Sequence, residues 1–179
     1  PKKSLGQNFL VNPGILEKII RAAELKPDDT VLEVGPGTGT LTELLVRRAG
    51  RIVAVEKDRR LIPELRQRFA SSPHVEIIED DILDFSPSRY ELTAGNYKLV
   101  GNIPYYLTSR LIRIILEQWP QPELVVLTIQ KEVAQRICAK PPHMNLLALS
   151  VQYYAEPKII ATVSRGSFRP IPKVDSAII

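Results

Sequence analysis

After Asn12-Pro13 the apolar residues Ile15, Leu16, Ile19, Ile20 and Ala23 fall on one helical face, and the pattern predicts a helix ending near Leu25. Asn12 suits the N-cap and Pro13 the first helical position. Lys26-Pro27-Asp28-Asp29 reads as a turn, and residues 30–34 as a buried strand, rich in branched side chains and bounded by glycine. The same alternation continues with a helix at 41–48, a strand at 51–55, a helix at 59–70 that Asp58 could cap, and a strand at 75–78. A fourth strand at 98–100, an amphipathic helix at about 109–119 and a fifth strand at 124–129 follow. Two helices at about 131–138 and 145–154 and two more strands at 158–163 and 175–179 complete the pattern. Strands alternating with helices at this spacing predict an α/β fold, a mostly parallel seven-stranded sheet covered on both faces. The chain stops inside its last strand, which reads as a truncated single domain over residues 1–179.

Composition narrows the class. Hydrophobic residues make up 44% and charged residues 25%, as expected of a soluble globular chain and not of a disordered or membrane one. No apolar run approaches the ~18 residues of a spanning helix; residues 111–116 are broken by Arg113. Pro1-Lys2-Lys3-Ser4 precedes no apolar stretch, so no signal peptide is expected. A single cysteine, Cys138, excludes an internal disulfide framework and suits a reducing cytoplasm. With only His74 and His143 beside it, a structural zinc site is not expected. The net charge of +4, from 24 basic against 20 acidic residues, favours a polyanionic partner only where another feature agrees.

Two motifs supply candidate chemistry. Glu33-Val34-Gly35-Pro36-Gly37-Thr38-Gly39 stands between a strand and a helix, where glycines let the backbone turn sharply and approach a ligand. Its G-x-G-x-G spacing differs from that of a pyrophosphate loop. Glu56 ends the next strand, where a carboxylate can accept both hydroxyls of a ribose, and Asp81 follows the third strand, where it could hold an adenine amine. A glycine turn with surface acids is the plain alternative. Three such features at consecutive strand ends favour a nucleoside site, because open sheets bind ligands at that edge.

The second motif is Asn102-Ile103-Pro104-Tyr105-Tyr106, at the end of the fourth strand. The exocyclic amine of adenine is a poor nucleophile because its lone pair is delocalised into the ring. Accepting hydrogen bonds from both amine protons favours a pyramidal nitrogen with a localised lone pair. Asn102 offers a side-chain oxygen and Ile103 a backbone carbonyl, which Pro104 holds in extended geometry. Tyr105 offers a face on which an extruded base can stack.

With Leu5-Gly6-Gln7-Asn8-Phe9-Leu10, Gln130-Lys131-Glu132-Val133-Ala134 and Phe168-Arg169-Pro170-Ile171-Pro172-Lys173-Val174-Asp175-Ser176, these motifs follow in an order that resembles the ribosomal RNA adenine dimethyltransferase family along nearly the whole chain. The resemblance implies a Rossmann-like class I methyltransferase fold and S-adenosyl-L-methionine as cofactor, with no metal. It implies Gln7, Asn8 and Leu10 against the cofactor, Gly35 and Gly37 beside it, Glu56 on the ribose, Asp81 on the adenine and Asn102 near the transferring methyl. Ile103, Pro104, Tyr105 and Phe168 would build the target-base site, although Phe168 reads equally as a core plug. Residues 130–134 and 172–177 are more similar to the small-subunit enzymes than to the macrolide-resistance enzymes of large-subunit RNA. Two adjacent adenosines near the 3′ end of small-subunit ribosomal RNA are then the implied targets, each dimethylated by a monomeric, cytoplasmic enzyme of ribosome biogenesis.

The family's Tyr-Gly pair before Leu-Ser-Val is replaced here by Met144-Asn145-Leu146-Leu147-Ala148, and its small helical C-terminal domain has no counterpart in these 179 residues. Lys2 and Lys3 are candidates for phosphate contact, whereas Arg47, Arg48, Arg51, Arg59 and Arg60 read as a solvated surface. Two other readings remain open: a ribosome-assembly or transcription factor that keeps the fold without catalysis, and a DNA adenine methyltransferase.

Overall fold

A computed structural model describes residues 7–179; the Lys2, Lys3, Leu5 and Gly6 readings lie outside the described residues. The chain runs through β1 (Phe9–Leu10), α1 (Pro13–Ala22), β2 (Thr30–Val34), α2 (Thr40–Val46), β3 (Arg51–Glu56), α3 (Ile62–Arg68) and β4 (Val75–Glu79). It continues through β5 (Tyr97–Asn102), α4 (Thr108–Glu117), β6 (Leu124–Gln130), α5 (Lys131–Ile137), α6 (Leu146–Gln152), β7 (Ala161–Val163), β8 (Phe168–Arg169) and β9 (Ser176–Ile178).

Seven strands form one sheet in the order β4-β3-β2-β5-β6-β9-β7. The pairs from β4 to β6 are parallel, and β9 runs antiparallel to both of its neighbours. Alternate strand residues divide between two cores. Val31, Ile52, Ala54 and Val100 pack with Ile19, Leu45 and Leu65 from α1, α2 and α3. Leu32, Val53, Leu99 and Leu127 pack with Leu111, Ile137 and Val151 from α4, α5 and α6. The sheet is therefore apolar on both faces, as the near-continuous apolar strands require. Strand order reverses at β2: β3 and β4 lie on one side, β5 and β6 on the other. That reversal opens a crevice at the C-terminal ends of β2 and β5, where doubly wound sheets bind ligands.

Asn12 caps α1 as its type and position suggest, accepting from the N–H groups of Gly14 at 3.0 Å and Ile15 at 3.3 Å. Several element boundaries differ from the sequence expectation. Helix α1 stops at Ala22, and Glu24 then takes φ 47°, which turns its carbonyl toward Lys98. Helix α3 begins at Ile62 rather than residue 59, and Asp58 does not cap it. The Asp58 carboxylate is taken instead by Arg60, through its backbone N–H at 3.2 Å and its guanidinium at 2.8 and 2.6 Å. The strands expected at 158–163 and 175–179 shorten to Ala161–Val163 and Ser176–Ile178. A second sheet, two residues per strand, pairs β1 with β8. Among the described residues no helix is long and apolar enough to cross a membrane, and no group of three potential ligands could hold a metal ion. Arg51, Arg59 and Arg60 each pair with a carboxylate of this domain.

One buried charge ties the sheet to the turn after α1. Lys98, 3% exposed, lies 2.8 Å from the Asp29 carboxylate and donates to the Glu24 carbonyl at 2.7 Å. Burial alone would raise the Asp29 pKa, but the Lys98 ammonium and the Lys26 N–H outweigh it and hold it below the usual range. The pair's contribution is thus present above the pKa of an unfolded aspartate and fades as pH falls through the folded value. Asp29→Ala, which strands the ammonium, should lower unfolding free energy by about 3–5 kcal/mol in urea titrations. Adding Lys98→Met should recover much of that loss; a single variant as stable as the parent would refute the pairing.

Candidate active site at the strand-order reversal

The glycine loop leaves β2 with Gly35 at φ +69° and Gly37 at φ +61°. A Cβ built on Gly35 would meet nothing within 4 Å, so its bare face looks into open space. One on Gly37 would come within 2.9 Å of the Phe9 ring, so β1 rests directly on the loop. Glu56 ends β3 nearly buried, at 6% exposure. Its Oε2 accepts the Gly37 N–H at 3.0 Å and its Oε1 the Asp58 N–H at 2.8 Å. Burial raises its pKa, and these two N–H groups oppose the rise. Asp81, just past β4, takes the Lys57 ammonium on Oδ2 and the Leu83 N–H on Oδ1 at 3.1 Å. Burial pushes the Asp81 carboxyl up, but Lys57 and Leu83 outweigh it and leave it below its ordinary value.

Asn102 ends β5, beside the glycine loop, because β2 and β5 pair Val34 with Gly101. Its Nδ2 donates to the Asn8 carbonyl at 2.9 Å. A carbonyl only accepts, so the amide nitrogen must face Asn8 and Oδ1 is presented the other way. Ile103 is buried, with its N–H bonded to the Thr128 carbonyl at 3.1 Å. Pro104 leads into a 3-10 turn at Tyr105–Leu107. The Tyr105 hydroxyl meets the buried Ser176 hydroxyl at 2.8 Å, which anchors the far end of its ring. Burial raises the phenol pKa, opposed by that hydrogen bond.

A single cleft gathers Gln7, Asn8, Gly35, Gly37, Glu56, Asp81, Asn102, Ile103, Pro104, Tyr105 and Phe168. Of the candidates named from sequence only Leu10 is not on its wall; it lies in the core and borders a smaller cavity behind the loop. Phe168 combines its two readings, since it is 1% exposed within the core and still lines the cleft. Sequence reasoning missed Phe9, Lys57, Asp80, Ile82, Tyr106 and Leu107, which also line it. Lys57, Asp80 and Ile82 adjoin residues already singled out, which was a usable signal. Phe9 likewise sits between Asn8 and Leu10, although its packing on Gly37, 28 residues away, could be seen only in the folded chain.

A family model described as ribosomal RNA adenine dimethylase matches residues 1–179. The chain belongs to the ribosomal RNA adenine dimethylase family. Within that family it is similar to the ribosomal RNA small subunit methyltransferase A of Dehalococcoides mccartyi, 49% identical over 99% of this chain and 61% of the relative. The chain thus spans about 61% of the length of the curated relatives it matches at that identity. Among solved structures, a dimethyladenosine transferase from Plasmodium falciparum superposes with a TM-score of 0.85 at 35% identity, over 95% of this chain and 61% of that one. The 23S rRNA methyltransferase ErmE gives 0.84 at 35% identity, over 96% and 68%. This dimethylase-family chain accordingly has the class I methyltransferase fold.

The Asn102 amide offers a direct test of the site's geometry. Asn102→Asp removes the donor and sets an anionic oxygen against the Asn8 carbonyl. Loss of a hydrogen bond worth ~1 kcal/mol should speed amide exchange at Leu10 and Val11 roughly fivefold or more. Unchanged exchange there would show that the amide does not hold the N-terminal segment.

Proposed function

We propose that this chain is the catalytic domain of an S-adenosyl-L-methionine-dependent enzyme that dimethylates the exocyclic amines of two adjacent adenosines near the 3′ end of small-subunit ribosomal RNA. The observation that carries the reading is the orientation of Asn102, whose oxygen is turned away from Asn8 and free to accept. Two acceptors on one short turn, this oxygen and the Ile103 carbonyl, suit the two protons of one amine. Tyr105, held at its hydroxyl by Ser176, and Phe168 would bracket the base.

The cofactor fits the residues present. The open face of Gly35 leaves room for a ligand against the loop, Glu56 and Asp81 stand at neighbouring strand ends, and all three share one cleft. Glu56 already accepts one N–H on each oxygen, which leaves lone pairs for two hydroxyls. An adenine amine at Asp81 would share oxygens already used by Lys57 and Leu83. When bound, the cofactor would supply an already activated methyl group, so the chain needs no strong base. Its own task is to hold the amine pyramidal and the base stacked while the displaced proton passes to water.

The named small-subunit relatives share 41–49% identity with this chain, against 35% for the large-subunit enzyme ErmE, which favours the small-subunit target. A ribosomal substrate would place the enzyme in the cytoplasm. An intact acceptor turn beside an intact acidic cleft argues for catalysis over a purely binding factor.

Glu56→Ala should weaken cofactor binding in calorimetry by about 1.5–3 kcal/mol per charged hydrogen bond lost. Unchanged affinity would remove Glu56 from the ribose. For the full-length protein acting on small-subunit RNA, Asn102→Ala should slow single-turnover transfer roughly 10²–10³-fold, by analogy with a lost oxyanion-hole donor, with cofactor affinity kept within a few-fold. Tyr105→Ala should weaken RNA binding as well, since stacking is worth about 1–3 kcal/mol per base. Mass spectrometry of the treated adenosines reads the transfer and an RNA-binding titration reads the affinity, and near-normal dimethylation by Asn102→Ala would end the amine mechanism.

A further inference from the structure

The loop from Phe168 to Ser176 has ends that build the target-base site and a middle that the mechanism above leaves without a task. Phe168 lines the cleft, and Ser176 meets the Tyr105 hydroxyl at 2.8 Å. Between them Ile171 is 58% exposed and Val174 is 44% exposed. Ile171 stands between Pro170 and Pro172. A proline fixes its own φ and holds the residue before it extended, so the backbone around Ile171 is set before any partner arrives. Pro172 is buried and roots the loop, and the Lys131 N–H closes it by donating to the Asp175 carbonyl at 3.0 Å. Three residues of chain reach at most about 11 Å, so Ile171 stays at the rim of the cleft, close to Phe168.

The charges on this side of the cleft differ from those on the other. Near the ends of β3 and β4, Lys57, Arg59 and Arg60 each pair with a carboxylate. Lys131, Arg165, Arg169 and Lys173 pair with none among the described residues. The Arg169 guanidinium instead donates to the carbonyls of Gly166 at 3.1 Å and Phe168 at 2.8 Å, which orient it and leave its charge uncancelled. Asp175 is the one acid in the stretch 164–176, and its carboxylate is occupied by the Arg165 N–H at 2.9 Å. The opposite wall carries Asp80 and Asp81. A polyanion is therefore drawn to the Ile171 side and repelled from the other.

We propose that Ile171 is a wedge that supports the base next to the target adenosine once that adenosine has left its stack for the cleft, while Lys173 and the cations beside it hold the flanking phosphates. The proposal rests on the adenosine reading of the site and deepens it. Phe168 is 1% exposed and Tyr105 is tied at its hydroxyl, so neither wall reaches out to a stacked base and the base must come in. Extruding a base opens a gap beside its neighbour and costs the stacking between them. An aliphatic side chain in the gap offsets part of that cost, and one already fixed by its backbone does so with little loss of entropy. With two adjacent adenosines as targets, the base supported at the rim is in turn the next substrate of the same cleft. A lone exposed isoleucine on a plain surface needs no partner. This one is rigid, stands two residues from a cation on either side, and adjoins the target-base wall.

Single-turnover methylation by the full-length protein tests this on small-subunit RNA, both naked and in reconstituted subunits. Ile171→Ala should slow transfer at saturating RNA roughly fivefold or more, the effect of one lost stacking contact, with cofactor affinity unchanged. Ile171→Leu, which restores an aliphatic face, should restore the rate. Lys173→Gln should weaken RNA binding and lower its salt slope by about one, and an unchanged slope would remove the phosphate contact. The decisive arm is an RNA with an abasic residue in place of the adenosine beside the target. There the wedge has no base to support, so Ile171→Ala and the parent should transfer at the same rate. A variant as fast as the parent on intact RNA would overturn the wedge alone. Equal slowing on intact and abasic RNA would also overturn it, by marking a structural role. Slowing in subunits but not on naked RNA would overturn it in favour of contact with a ribosomal protein. If the parent methylates no adenosine in either form, the proposed function and the wedge fall together.

Discussion

Everything at the site depends on the register between β2 and β5. Five consecutive parallel pairs, from Thr30 with Tyr97 to Val34 with Gly101, bring the glycine loop and Asn102 to the same height at the reversal of strand order. A slip of one residue would exchange the two faces of a strand and turn Leu99 and Val100 into each other's cores. Gly101 makes the pairing tight where it matters, since a Cβ there would lie 3.0 Å from the Val34 Cβ and 2.8 Å from Ile103 Cδ1. The glycine loop and the Asn102 turn can therefore lie side by side only because this strand end carries no side chain.

Onto that edge the chain folds its two outer segments. The N-terminal segment crosses the mouth of the cleft, with Gln7 donating to Asp58 at 2.9 Å, Asn8 receiving Asn102, and Phe9 resting on Gly37. Leu10 pairs with Phe168, and the Val11 N–H donates to the Ser167 carbonyl at 2.9 Å. From the other end, the Asp175 carboxylate holds the Arg165 N–H at 2.9 Å and so shapes the turn before Phe168, while Ser176 holds Tyr105. The two aromatic walls are thus both set by one short stretch of β9 and its approach. The residues that would touch substrate are held in place by hydrogen bonds and packing from residues that would not.

The acids divide by environment. Asp58 and Asp81 are held ionised by Arg60 and Lys57, which outweigh the cost of partial burial. Glu56 and Glu33 have no cation partner among the described residues and are pushed the other way by desolvation.

The sequence by itself determined whatever is encoded by local period and backbone restriction. The seven main strands, the helices on both faces, the glycine turn, the Asn12 cap and the Pro104 turn were all legible, because a strand's two-residue and a helix's 3.6-residue rhythm need only near neighbours. That Glu56, Asp81 and Asn102 converge was also legible, since parallel strands deliver their C-terminal ends to one edge. Only the tertiary structure decided what depends on partners far along the chain. The two-residue pairing of Phe9–Leu10 with Phe168–Arg169 carries no periodicity, and the start of α3 moved because Arg60 took the carboxylate that would have capped it. Which way the Asn102 amide points was decided by a carbonyl 94 residues away, and which oxygen of Glu33 stays open by a hydroxyl on the next helix. A side chain's type sets which bonds it can make; the neighbours that fix their number and direction exist only once the sheet has closed.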